Sequence, residues 1–127
     1  MNHKSTFSIY RIFRSISFAV RGLTYMFKNE RNARIHFTIA IISIILCIIL
    51  DLNIYEWLFI LSAIALVIAA ELFNTAIEKL CNHITKERNN DIKIIKDLSA
   101  AGVLICALYA LIAGLLIFIP RIWELFS

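Results

Sequence analysis

The stretch Leu98–Pro120, LSAAGVLICALYALIAGLLIFIP, runs for 23 residues without a formal charge and ends at the chain's single proline. About 20 apolar residues in a helix cross a hydrocarbon layer of roughly 30 Å, so this run predicts a transmembrane helix over 97–120. Towards the N-terminus, Trp57–Ala70 is uncharged for 14 residues before Glu71 interrupts it. Apolar residues continue at helical spacing through Leu72, Phe73, Ala76, Ile77 and Leu80, which predicts one helix over 55–84 carrying a polar stripe. The first run, Ile35–Leu50, holds 16 uncharged residues, short for a span on length alone. Arg34 can snorkel at its start, and Asp51-Leu52-Asn53 supplies a turn at its end. Three spans are expected, over 35–50, 55–84 and 97–120.

Composition agrees with lipid as the solvent. Of 127 residues, 61% are hydrophobic and only 17% charged, against roughly 45–50% and 25% in soluble domains. The same figures exclude intrinsic disorder, which needs low hydrophobicity and high net charge. One domain is expected from the length. Three cysteines without a CxxC spacing make no disulfide scaffold, and Cys47, Cys81 and Cys106 are expected to be small buried hydrophobes. His3, His36 and His83 are too scattered in sequence to read as a metal-binding set.

Charge placement predicts an orientation. Residues 1–35 hold seven Lys and Arg (Lys4, Arg11, Arg14, Arg21, Lys28, Arg31 and Arg34) and residues 79–97 hold five, whereas 51–56 hold none and the tail holds Arg121 alone. Positive residues stay on the cytoplasmic side, so the N-terminus and the 85–96 loop are expected inside and the C-terminus outside. Tyr55, Trp57 and Trp123 fall near the outer boundary, where aromatic side chains collect. The N-terminal region lacks the apolar core of a signal peptide. Arg14, Arg21 and Lys28 recur every seven residues, with Arg11 three before Arg14, and Phe7, Ile12, Phe13, Ile16, Phe18, Val20, Leu23 and Phe27 supply an apolar surface that is not a perfectly clean face. The pattern predicts a basic amphipathic helix over 1–33 lying in the inner headgroup region, broken or bent at Gly22.

The segment Glu71-Leu72-Phe73-Asn74-Thr75-Ala76-Ile77-Glu78 carries charge where an apolar helix needs none. At about 100° per residue, Glu71 and Glu78 lie about 20° apart, with Asn74 about 60° to one side and Thr75 about 40° to the other. Asn82 continues the stripe, and the two carboxylates stand roughly 10 Å apart along the axis. Charge at membrane depth is costly and marks a functional site. One reading is interhelical hydrogen bonding by Asn74 and a protonated Glu71. A second is a proton-coupled transporter using Glu71, and a third is a non-catalytic helical subunit. The fourth is phosphoryl transfer, with Glu71 as general base, Glu78 and Glu30 holding a hard cation such as Mg²⁺ through oxygen, and Lys96 and Asp97 facing the stripe. Asp97 alone reads equally as a dipole-complementing residue at a helix start. No Walker A sequence or kinase glycine loop is present, so kinase chemistry here must be built on helices.

Four blocks of the chain then carry a resemblance: Arg21-Gly22-Leu23, Asn29-Glu30-Arg31-Asn32-Ala33-Arg34-Ile35-His36, Glu71-Leu72-Phe73-Asn74-Thr75-Ala76-Ile77-Glu78-Lys79, and Lys96-Asp97-Leu98-Ser99-Ala100-Ala101-Gly102-Val103. In order and spacing they resemble the small prokaryotic integral-membrane diacylglycerol kinase family, which includes undecaprenol kinases. The resemblance implies an all-α membrane protein with three transmembrane helices and an N-terminal surface helix. It implies a homotrimer in the bacterial inner membrane that phosphorylates a lipid alcohol with Mg²⁺ and ATP; no nucleic-acid partner is expected. By position, Glu71 matches the catalytic base and Asn74 an essential polar neighbour, while Glu30 and Glu78 match metal ligands that also meet the nucleotide. Arg11, Phe18, Lys96 and Asp97 match nucleotide-contacting positions, with residues 87–89 a looser match. Arg11 and Glu71 are also expected at the lipid substrate. Asn82 departs from the family's usual Asp. His36, where enterobacterial members tend to be acidic, leans the substrate towards undecaprenol rather than diacylglycerol.

Overall fold

The computed structural model describes the backbone of residues 3–127 and the side chains of residues 8–127; the side chains of His3, Lys4 and Phe7 lie outside the described residues. Four helices account for nearly all of it: α1 (His3–Asn29), α2 (Arg31–Ile49), α3 (Ile54–Ile84) and α4 (Asn90–Phe126). The last three are each long and apolar enough to cross a membrane.

Helix α1 runs through Gly22 without interruption, contrary to the expected break. Glycine in a helix interior costs about 1 kcal/mol relative to alanine, which a helix of 27 residues absorbs. The chain turns instead at Glu30, a single extended residue (φ −108°, ψ 118°) between α1 and α2. The surface helix thus ends at Asn29, not at residue 33. Ser8 to Tyr25 are all exposed. The end of α1 docks through Met26, which is 1% exposed, and through an edge-to-face contact of Phe27 with Phe37 of α2.

Between α2 and α3 the expected turn forms. Asp51 takes a left-handed conformation (φ 48°), which lets the Leu52 N–H reach back to the Cys47 carbonyl at 3.2 Å, as at many helix C-termini. Asn53 then starts α3 with a reciprocal capping box: its side chain accepts from the Tyr55 and Glu56 N–H groups while Glu56 accepts from the Asn53 N–H. Asn89 caps α4 in the same manner, accepting from Asp91 and Ile92 N–H groups. This cap shortens the expected 85–96 loop to residues 85–89. The 90–96 segment is helical because Asn89 satisfies its first free donors.

Helix α4 also continues past Pro120 to Phe126, whereas the sequence reading ended it there. Proline removes one donor to the preceding turn, but Arg121 beside it is held by an ion pair to Glu56 of α3. α3 and α4 pack along much of their length, with Ser62 and Tyr109 hydroxyls 3.2 Å apart across the pair. At the end near the α2–α3 turn, Cys47, Leu52 and Ile60 form a buried cluster closed by Trp57, Ile117 and Phe118. Cys47 and Cys81 are buried and Cys106 half-buried, as expected. α2 leans on α3, leaving an apolar groove of about 540 Å³ towards α4, lined among others by Ala40, Ile60, Val67, Leu111 and Phe118, with His36 among its lining residues.

Candidate active site

The polar stripe of α3 lies at the end of the bundle opposite that cluster. Glu71 is 5% exposed and Thr75 7%, and among the described residues these are the buried polar side chains. One turn on from Glu71, the Asn74 Nδ2 donates to Glu78 Oε1 at 3.4 Å. The Asn74 Oδ1 atom is buried with no hydrogen-bond partner. A lone buried acceptor beside a carboxylate is a place for a cation or a donor hydroxyl.

Three further groups converge on this stripe. His36 of α2 places Nε2 3.1 Å from Glu71 Oε1. Glu30 and Glu78 lie close enough for their charges to act on Glu71, and Glu30 also acts on Lys79. Lys79 sits 4.5 Å above the Tyr25 ring of α1, a cation–π contact that brings the α1–α2 elbow to α3. The Glu30 carboxylate makes no capping hydrogen bond to α2, so its oxygens are not spent on the helix it precedes. From α4, Lys96 Nζ donates to Asn82 Oδ1 at 2.6 Å, joining the far end of the stripe.

The remaining expected residues stand apart. Asp97 is turned to Lys93 of its own helix at 2.8 Å and is 64% exposed, so it does not face the stripe. Because α4 begins at Asn90, Asp97 is also about two turns from the helix start, and Asp91 is the acidic residue of the first turn. Phe18 lies on the exposed part of α1 with the Arg14 and Arg21 guanidinium groups 5.6 and 5.7 Å from its ring centre. Arg11 is fourteen residues before Tyr25, about 21 Å along the helix.

Two contacts escaped the sequence reading, His36–Glu71 and Glu56–Arg121. The first had a signal. α2 and α3 form an antiparallel hairpin about Leu52, and His36 is 16 residues before that point and Glu71 19 after it. At 1.5 Å per residue the two fall within a helical turn of the same depth.

Among the described residues no three His, Cys, Asp or Glu side chains form a ready metal cage. Mg²⁺ in phosphoryl-transfer sites is commonly held by one or two carboxylates plus substrate phosphates. The Glu30 carboxylate, which caps no helix, the Glu78 carboxylate and the orphaned Asn74 oxygen are hard oxygen donors of that kind.

The fold and the site together define a helical membrane protein with carboxylates from the α1–α2 elbow and from α3 gathered at one end of the bundle. Residues 17–118 match the model of the family described as prokaryotic diacylglycerol kinase, and the chain belongs to that family. It is 36% identical over 112 residues to the undecaprenol kinase of Bacillus subtilis, covering 88% of this chain and 91% of that protein. It is 31% identical over 115 residues to the diacylglycerol kinase of Haemophilus influenzae, covering 89% and 98% of the two chains. A diacylglycerol kinase of Synechocystis sp. is 30% identical over 112 residues, covering 87% of this chain and 64% of the relative. The chain is therefore a multi-pass membrane protein and a lipid kinase, with ATP implied as its co-substrate. Of the activities left open by the sequence, that of a lipid kinase is the one the family supports.

Proposed function

We propose that the chain transfers the γ-phosphoryl group of ATP to the primary hydroxyl of a membrane lipid alcohol, with undecaprenol favoured over diacylglycerol. The observation that carries this reading is the buried Glu71 carboxylate, held by His36 and flanked by Glu30 and Glu78. Glu71 takes the proton of the lipid hydroxyl as its oxygen attacks the γ-phosphorus. The bond from that phosphorus to the β,γ-bridging oxygen breaks, and ADP leaves with the electron pair. Glu71 then returns its proton to water at the inner boundary. Glu30 and Glu78 would hold Mg²⁺, which would supply positive charge to offset the negative charge developing on the transferring phosphoryl group. Asn74 keeps Glu78 in place and offers its free oxygen to the same cluster.

Lys96, turned to the lower end of the stripe, is placed to meet a phosphate. Asp97 contributes from the rim beside Lys93. Arg11 and Phe18 join the nucleotide-contacting set through the family resemblance, and Arg11 also meets the lipid. The whole chain, 1–127, is taken as one kinase domain. α1 lies in the inner headgroup layer as a basic amphipathic helix, the C-terminus is outside, and three copies assemble in the bacterial inner membrane. Undecaprenol is favoured by His36 and by the likeness to the Bacillus subtilis protein.

The test is transfer of ³²P from γ-labelled ATP by protein purified in detergent, with undecaprenol and dioleoylglycerol offered separately. Glu71→Gln is expected to abolish transfer without changing the assembly's elution volume. Wild-type turnover by that variant removes Glu71 as the base. A preference for dioleoylglycerol reverses the substrate assignment.

A further inference from the structure

His36 lies on the packed face of α2. Ala33, three residues before it, is 1% exposed, and Ala40, four residues after it, is 7% exposed. Small residues at this spacing let two helices approach closely, so the depth and direction of the imidazole are set by backbone packing rather than by a mobile stem. Its Nε2 stands 3.1 Å from Glu71 Oε1, and among the described residues no other side chain reaches a Glu71 oxygen at bonding distance. The carboxylate itself is nearly closed to water. His36 also lines the apolar groove between α2 and α4, so the imidazole borders both the base and that groove.

We propose that His36 is the positioning residue for the base: its Nε2–H donates to Glu71 Oε1, fixes the carboxylate's rotamer, and turns the second oxygen to the lipid hydroxyl. This rests on the reading of Glu71 as general base. A carboxylate has two equivalent oxygens and free rotation about its last torsion. Tethering one oxygen removes that freedom and leaves the other aimed, the geometric part of general-base catalysis. No covalent step is added, because the proton moves from lipid hydroxyl to Glu71 and the imidazole only holds the acceptor.

The experiment uses three substitutions in the full chain. A glutamine amide nitrogen can occupy the place of imidazole Nε2, an asparagine falls short of it, and leucine has no donor. His36→Gln is expected to retain most of kcat. His36→Asn and His36→Leu are expected to lower kcat on the order of 100-fold, the cost of misplacing a reacting group by about 1 Å, with KM for ATP and lipid unchanged. The ¹⁵N resonance of His36 Nε2 is expected to shift on Glu71→Gln in protein at rest, independent of turnover. Wild-type kcat in His36→Leu, or equal losses in the Gln and Asn variants, overturns the proposal. Should the leucine variant fail to assemble, the Gln and Asn pair carries the same decision. Wild-type turnover by Glu71→Gln defeats the base assignment instead, an outcome separate from the failure of His36.

Discussion

Arg121 grips both carboxylate oxygens of Glu56, Nε to Oε1 at 3.1 Å and Nη2 to Oε2 at 2.8 Å, joining the first turn of α3 to the last turns of α4. Glu56 is at the same time the acidic half of the Asn53 capping box. One side chain thus starts α3 and ties the two longest helices together. Arg121→Ala is expected to lower the thermal unfolding midpoint in detergent while leaving kinase activity at low temperature intact, since the pair lies at the far end of the bundle from Glu71. The exchange Glu56→Arg with Arg121→Glu restores the tie but not the cap, so it recovers only part of the loss. Asn53→Ala, which removes the cap acceptor, is expected to cost about 1 kcal/mol on its own. An unchanged midpoint in Arg121→Ala would show that the tie contributes nothing.

Removal of the divalent ion tests the paired carboxylates. Transfer is expected to stop when Mg²⁺ is chelated and to resume when it is restored. Glu78→Gln and Glu30→Gln should each demand more Mg²⁺ for half-maximal activity, at least about tenfold more, the scale on which disturbed metal sites lose affinity. Asn74→Leu, by freeing Glu78 and deleting the orphaned oxygen, shifts the requirement in the same direction. A Mg²⁺ titration of each variant at saturating ATP is the measurement. Curves that superimpose on the wild type assign the metal elsewhere.

Lys96 meets the stripe and Asp97 does not, so the two neighbours are expected to differ in effect. Lys96→Met should raise KM for ATP and leave KM for the lipid alone, whereas Asp97→Asn should alter either constant less. Asn82→Asp places an acid against Lys96 Nζ, now 2.6 Å from the Asn82 oxygen. It draws the lysine from the phosphate, so KM for ATP rises. Initial rates over a grid of ATP and lipid concentrations separate these outcomes.

The three spans were legible because hydrocarbon demands an unbroken apolar run, and Leu98–Pro120 and Trp57–Ala70 supply one. Helix ends were less so. Asn89 starts α4 before the apolar run begins, and Pro120 fails to stop it, because a cap and an ion pair outweigh local composition. Gly22 misled for the same reason: its cost is small beside a long helix. At the site, periodicity along α3 placed Glu71, Asn74, Glu78 and Asn82 on one face, since one helix fixes its own angles. Which residue of another helix meets that face depends on packing, so His36 was hidden and Asp97 was pointed the wrong way. Lys96, one residue earlier, does meet the stripe at Asn82, because a 100° step is enough to separate neighbours.

The elbow between α1 and α2 is one residue long, and that residue is Glu30. A joint of one residue has two soft torsions, and the Glu30 side chain is rooted on the carbon between them. Whatever tilts the α1 arm against α2 therefore swivels the Glu30 carboxylate by the same hinge. Upstream of Met26 the described side chains of the arm, Ser8 to Tyr25, are all exposed. With α1 on the headgroup layer, as proposed above, the arm and the acid at its root would form a lever and its fulcrum, carrying a change in the membrane surface to the site as a rotation of one oxygen pair.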